Sequence, residues 1–296
     1  MKKLAIITPN YNRPQLLKRL YKSLKEQTCK DFIWYIIDDG SKDDPQEVVD
    51  SFVKEEQVEI VFKKKANGGK HTCINFALQL IESPYVVIVD NDDKLTPNAV
   101  ETILKDFDEI KDNNKICGIG YLKAKFDGNV IGKEYTKDGI VDNFVNQRYN
   151  KNTYGDKCEV FKTEILEKYP FPVFEGENFV SESTIWCKMS LDYDMKFFNK
   201  AIYLCEYQEG GLSDNVHKRL FNNPKGASAC YHSMTSKQFN LKYKIKYTVA
   251  YIVYSLASGE KRHNIVKSSN CKGLSRLLFL PSKMIYNKKR KLYRGV

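Results

Sequence analysis

Tyr85-Val86-Val87-Ile88-Val89, followed at once by Asp90-Asn91-Asp92-Asp93, is the feature that most restricts what this chain can become. The short apolar, largely β-branched run reads as a strand buried on both faces, as in the middle of a parallel sheet. It surfaces into three carboxylates within four positions. Like charges a few ångströms apart raise one another's pKa, so such a cluster is costly when left alone. A divalent cation removes that cost. Asp-x-Asp at a strand end offers oxygen ligands to Mg²⁺ or Mn²⁺ and leaves coordination positions open for phosphate oxygens, which makes Asp90, Asp92 and Asp93 candidate ligands. The plainer alternative is an acidic loop with Thr96 capping the next helix, although a cap needs one acid and not three.

The segments before it have the same rhythm. Lys3–Thr8, ended by Pro9, Phe32–Ile37 and Val58–Phe62 read as further strands, and amphipathic helices lie between them. Leu16, Leu17, Leu20 and Leu24 share one face of the first helix; Val48, Val49, Phe52 and Val53 share one face of the second. Strand–helix alternation with short loops predicts a mainly parallel, doubly wound α/β sheet. Ligands of such sheets sit outside the carboxyl ends of the strands. Asn10-Tyr11-Asn12, Asp38-Asp39, Gly68-Gly69-Lys70 and Asp90–Asp93 all fall there, which predicts one composite nucleotide site. Tyr11 can stack on a base, and an Asp can accept from a uracil-type imide N–H. The glycines let backbone amides approach phosphate at a helix N-terminus, where Lys70 adds charge. Alternatively, Tyr11 covers the sheet edge and Gly68-Gly69 is only a turn. His71 reads as a cap or packing residue, or at most a phosphate contact.

Beyond Tyr121 the pattern changes. Phe126–Val130 reads as a hairpin turn around Asp127-Gly128, Cys158–Phe161 as a strand and Thr163–Lys168 as a short helix. Ile185, Trp186 and Met189 predict a helix entering the core, with Ser181 or Ser183 near its cap and Glu182 projecting from its start. A carboxylate there is either a capping residue or a catalytic base. Lys196–Tyr207 is a β-rich return, closed by a Gly210-Gly211-Leu212-Ser213 loop able to cover a site.

At 42% hydrophobic and 29% charged residues, the chain has the balance of a soluble globular protein. No secretory leader or membrane-spanning run is expected from it. Its eight scattered cysteines, without a Cys-x-x-Cys pair, predict reduced thiols rather than zinc ligands or a disulfide frame. The charge is unevenly placed. Residues 230–296 carry fifteen Lys or Arg against one acid, Glu260, a net +14 against +11 for the whole chain. Residues 236–257 lack Gly and Pro and read as a long helix, yet Phe239 to Tyr247 alternate apolar and basic in strand fashion. Leu274–Tyr286 is apolar and broken by Pro281. Lys and Arg interleaved with Leu, Phe and Tyr suit an anionic membrane surface; the alternative is a solvated basic tail. No binding motif accompanies the charge, so nucleic acid is not expected as a partner.

The ordered blocks Thr8-Pro9-Asn10-Tyr11-Asn12-Arg13, Asp38-Asp39-Gly40-Ser41, Asn67-Gly68-Gly69-Lys70-His71 and Val89–Asp93 resemble the nucleotide-binding half of family 2 glycosyltransferases. Gly176–Glu182 and Tyr207–Ser213 resemble the acceptor half, in the branch common in bacterial capsule and O-antigen assembly. The resemblance covers about residues 1–215. It implies a glycosyltransferase-A-like α/β fold with a nucleotide-sugar-binding half (1–115), an acceptor-binding and catalytic half (116–229) and a basic helical tail (230–296). It implies that Pro9, Tyr11, Asp39, Gly69, Lys70 and Asp92 bind a nucleotide sugar, usually a UDP-sugar. Asp90, Asp92 and Asp93 would hold Mn²⁺ or Mg²⁺, and Glu182 would be the base of an inverting transfer. The family usually shows an acid pair at that position, whereas Ser183 follows Glu182 here, so Glu177 and Glu175 remain rivals. The implied acceptor is a polyprenyl-diphosphate-linked glycan, and the implied location is cytoplasmic, peripheral on the inner face of the cell membrane. The competing functions are a sugar-phosphate nucleotidyltransferase and a non-enzymatic carbohydrate- or lipid-surface binding protein.

Overall fold

The structure is a computed structural model that describes residues 1–206 and 216–294. The chain divides into two compact units, one of Met1–Asn143, Asn152–Pro170 and Tyr193–Tyr207, the other of Phe144–Lys151, Phe171–Asp192 and Gln208–Val296.

The first unit holds the sheet. Its strands are β1 (Leu4–Asn10), β2 (Phe32–Asp38), β3 (Ile60–Lys64), β4 (Tyr85–Ile88), β5 (Lys94–Leu95), β6 (Ile116–Ala124), β7 (Ile140–Asp142), β8 (Lys157–Lys162) and β9 (Asp194–Leu204). They run in the order β3-β2-β1-β4-β8-β6-β9-β5, with β7 on β9. Its helices are α1 (Leu17–Lys25), α2 (Gln46–Lys54), α3 (Lys70–Leu78), α4 (Ala99–Asp108) and α5 (Thr163–Leu166).

β3, β2, β1 and β4 are parallel, as expected of strands joined through helices, and β3, at the end of the sheet, is the one of the four with no buried residue. The rest of the sheet is not. β8 enters antiparallel between β4 and β6, β6 and β9 are parallel, and β5 and β7 are antiparallel to β9, so the sheet is mixed. Pro9 does not end β1. The strand continues through it to Asn10, because the ladder with β4 stops at Ile7 and only β2 runs alongside further on, a strand-end place where a missing N–H is tolerated.

Leu17, Leu20 and Leu24 bury one face of α1 against Leu4, Ile6, Trp34 and Ile36. Each such side chain contributes about 1.5–3 kcal/mol of apolar burial. Tyr21 and Phe52 stack at 4.2 Å between centroids, and Trp34 donates to Thr8 Oγ1 at 2.8 Å, so the largest core ring keeps its polar atom satisfied.

The α-helices of the second unit are α6 (Ser183–Met189), α7 (Val216–Asn222), α8 (Pro224–Ser233), α9 (Leu241–Ala257), α10 (Arg262–Ser268), α11 (Lys272–Leu277) and α12 (Phe279–Arg294). The segment whose periodicity allowed helix or strand is helix from Leu241. Asn240 caps it, accepting from Tyr243 N–H at 3.3 Å, and Tyr247, Tyr251 and Tyr254 are buried at helical spacing. The apolar segment that follows is divided at Leu278 into α11 and α12, and Pro281 lies in the first turn of α12, where a backbone donor is not needed.

Candidate active site

Parallel pairing puts Asn10 level with Asp38 and lets the ends of β1, β2 and β4 be joined by buried amides. Asn91 Nδ2 donates to Asn10 Oδ1 at 2.9 Å, and Asn10 Nδ2 donates to Asp38 Oδ1 at 3.0 Å. Beyond β1 the chain turns through Asn12, whose φ of 51° is left-handed. Asn12 N–H donates to Ser41 Oγ at 2.8 Å, and Lys42 N–H donates back to Asn12 Oδ1 at 2.8 Å. This fixed turn carries Tyr11, which is 45% exposed, as a side chain offered to a ligand must be.

Asp39 is buried beneath it. Its Oδ1 accepts from Gly68 N–H at 2.9 Å and Lys65 Nζ at 2.8 Å; its Oδ2 accepts from Gly69 N–H at 2.7 Å and Asn67 Nδ2 at 3.1 Å. The glycine amides expected to cradle phosphate are therefore engaged by this carboxylate. Glycine is needed here for another reason: Gly69 has φ 92°, and a Cβ on Gly68 would lie 2.9 Å from Thr72 Oγ1. The same turn starts α3 and aims Lys70 at β4, where its Nζ lies 2.6 Å from Asp90 Oδ1. His71 turns inward, 2% exposed, and burial holds its imidazole down at about 4 against Asp39's opposing pull. It packs the helix as a neutral ring.

The three acids after β4 separate. Asp90 and Asp92 keep side-chain exposures of 34% and 20%, and Arg13 Nη1 lies 3.6 Å from Asp92 Oδ2. Burial works to raise the Asp90 pKa, but Lys70 and Lys123 hold it below the usual range. Asp93 departs from expectation: it is 5% exposed and its Oδ2 accepts from Tyr203 OH at 2.7 Å. The same hydroxyl accepts from Asp90 N–H at 3.0 Å, and Lys123 Nζ sits 3.7 Å from the Tyr203 ring centroid. Burial and then Asp90 push the Asp93 carboxyl up to about 7. Asp93 thus anchors the acidic loop from behind.

Among the described residues no three His, Cys, Asp or Glu side chains form a ready metal cluster. The local charge nevertheless fits a divalent ion. Asp90 and Asp92 are hard oxygen donors with exposed surface, and a buried carboxyl raised by its acidic neighbour is relieved by added positive charge. Such an ion would be held by these two residues, with Lys70 and Arg13 as competitors.

In the second unit, Glu182 is the half-buried N-cap residue of α6. Ser181 and Ser183 flank this cap, as expected; no side chain caps α6, and Glu182 O accepts from Ile185 N–H at 2.9 Å. Glu177 is committed elsewhere. Its two oxygens accept from Lys225 N–H and Gly226 N–H, both at 2.8 Å, closing the N-terminus of α8. Glu175 is exposed. The predicted Gly210–Ser213 loop lies outside the described residues. Sequence reasoning missed Tyr203, Lys123 and Lys65, because each reaches the acids from a strand remote in sequence or from an unremarkable lysine run.

Residues 5–170 match glycosyl transferase family 2, and the chain belongs to that family. It is 24% identical over 220 residues to glycosyltransferase GlyG of Streptococcus pneumoniae serotype 4, covering 71% of this chain and 72% of that protein. It is 28% identical over 198 residues to the GalNAc(5)-diNAcBac-PP-undecaprenol beta-1,3-glucosyltransferase of Campylobacter jejuni, covering 64% of this chain and 60% of that one. Among solved structures, S. aureus TarS residues 1–349 superpose with a TM-score of 0.66 at 15% identity, covering 99% of this chain and 91% of that one. The same fragment in complex with UDP-GlcNAc superposes with a TM-score of 0.63 at 16% identity, covering 99% and 92%. The longer TarS chain is spanned over 55% of its length. The fold is that of these glycosyltransferase-A-like structures, and the chain is a glycosyltransferase.

Proposed function

We propose that this glycosyltransferase moves a sugar, with inversion, from a UDP-sugar to a hydroxyl of a surface-glycan acceptor carried on a polyprenyl diphosphate. The observation that carries the donor reading is a pair of contacts across the strand ends. Gly69 N–H donates to Asp39, and Lys70, the next residue, holds Asp90. Between them they bring the base, phosphate and metal candidates of β2, α3 and β4 to one edge of the sheet.

Pro9 and Tyr11 would flank the base. Four donors already fill the lone-pair directions of Asp39, so a uracil imide N–H reaches it by replacing a side-chain donor, Lys65 or Asn67. Gly69 allows the close turn, Lys70 meets the diphosphate, and Asp92 lies toward the ribose or a Mn²⁺ or Mg²⁺ ion shared with Asp90. When bound, that ion supplies positive charge to the leaving diphosphate. Glu182 would take the proton of the acceptor hydroxyl, the one general base that a single displacement requires. The acceptor class rests on the undecaprenol-diphosphate glycan named for the Campylobacter relative, and UDP on the TarS complex. The basic C-terminal segment would keep the enzyme on the inner face of the cell membrane, beside such an acceptor.

A panel of nucleotide sugars assayed with Mn²⁺, with Mg²⁺ and with EDTA tests this. UDP release that is fastest with one UDP-sugar and abolished by EDTA is the expected result. Full turnover in EDTA would remove the cation, and preference for a non-uridine donor would remove the base assignment.

A further inference from the structure

The chain's basic end is built on a helix with two different faces. α11 runs into α12 almost without a break: Leu278 N–H donates to Leu274 O at 2.8 Å and Ser282 N–H to Leu278 O at 3.0 Å. The inner face of α12 is aromatic. Tyr286 and Tyr293 pack on Phe221 at 6.3 and 5.6 Å between centroids, and Phe279 joins a cluster with Tyr251, Ile252 and Ile265. Those contacts orient the helix.

The outer face is apolar where solvent would favour charge. Leu277, Leu280 and Met284, spaced by three and four residues, are 74, 68 and 73% exposed. Helical spacing puts them on one stripe, and Lys288 and Lys291 continue it, both exposed. A single exposed leucine is ordinary, but three large side chains in line are not. From Phe279 to Arg294 there is no acidic residue.

We infer that the outer stripe of α11 and α12, Leu277, Leu280 and Met284 with Lys288 and Lys291, is the surface on which the protein docks onto an anionic lipid bilayer. The inference rests on the membrane association proposed above and names its contact face. A second copy of the chain is the rival occupant. Residues 230–296 carry a net +14 with Glu260 as their one acid, so two such faces brought together would oppose each other with like charge. Anionic headgroups reverse that sign, and the lysine stems can lie along the apolar stripe while their ammonium groups reach phosphate. Among the described residues no helix is long and apolar enough to cross a membrane, and α12 at 1.5 Å per residue is about 24 Å long, so it would lie in the interface plane.

The test is cosedimentation of the full chain with vesicles of phosphatidylglycerol and phosphatidylcholine, and of phosphatidylcholine alone, over a range of NaCl. The wild type should pellet with the anionic vesicles only, and less as salt rises. Leu280→Asp/Met284→Asp should reduce partitioning by about 20-fold or more, with unchanged melting temperature and UDP affinity. Val53→Asp, at a half-exposed site in the first unit, should partition like the wild type. Equal pelleting of the double variant would overturn the face while leaving membrane association intact. A wild type that stays in the supernatant would overturn both. A double variant that turns a dimer into a monomer in the ultracentrifuge, without altered partitioning, would assign the stripe to a second copy and overturn the proposal.

Discussion

Lys70 Nζ lies 2.6 Å from Asp90 Oδ1, a salt bridge joining the start of α3 to the acidic loop after β4. Neither side chain is deeply buried, so the pair contributes little to stability, about 0–1 kcal/mol. Its consequence is competition: a cation at Asp90 must displace Lys70, and a diphosphate draws Lys70 the other way. Lys70→Met should therefore bind Mn²⁺ alone more tightly than the wild type and bind UDP about 10-fold more weakly, with a nearly unchanged melting temperature. Titration calorimetry with each ligand separately checks both directions, and unchanged affinities for both would dismiss the competition.

Asp39 is the opposite case, a buried carboxylate that holds its loop together. Asp39→Ala would leave Gly68 N–H and Gly69 N–H without their acceptor and Lys65 without its buried counter-charge. Removing one partner of a buried charged network costs about 3–5 kcal/mol, far more than a surface substitution. Urea unfolding should show this as a large fall in midpoint with an unchanged slope. A loss below about 1 kcal/mol would mean that the loop is held by other contacts.

Glu177 and Glu182 should separate cleanly. Glu177 closes the N-terminus of α8, so Glu177→Ala should cost about 1–2 kcal/mol of stability and leave turnover largely intact at low temperature. Glu182→Gln should leave melting and UDP binding alone but lower transfer by about 10²–10⁴-fold. Near-normal turnover by Glu182→Gln would take the base role from it. Measuring both variants for stability and for turnover keeps a folding defect from passing as a chemical one.

The parallel half of the sheet is legible in the sequence because its information is local: apolar runs, helical spacing and the residues just past each strand. The antiparallel half is not. β8 pairs with β4 across some seventy residues, and nothing in Lys157–Lys162 names its partner. The same limit hides Tyr203, which reads as one more aromatic of a β-rich stretch until pairing carries it to Asp93. The sequence identifies the acids after β4, but only the fold separates half-buried Asp90 and Asp92 from buried Asp93. Phe239–Tyr247 fits two periods equally, and burial of tyrosines at helical spacing further along α9 decides between them.

His71 gives the fold a pH dependence of definite sign. Burial lowers its folded pKa to about 4 from 6.5, with Asp39 pulling it up and Lys65 pushing it down. The unfolded chain therefore takes a proton at a higher pH than the folded one does. The contribution is fully present above about 6.5 and is lost as pH falls toward about 4. Between pH 7.5 and 5 the loss comes to about 2 kcal/mol. Other groups titrate in the same range, so the comparison must be with His71→Gln, whose buried side chain stays neutral throughout. The stability difference between wild type and variant, from urea unfolding at the two pH values, should shrink by that amount on acidification. A difference that stays constant would mean that His71 is protonated alike in both states and that its burial carries no electrostatic cost.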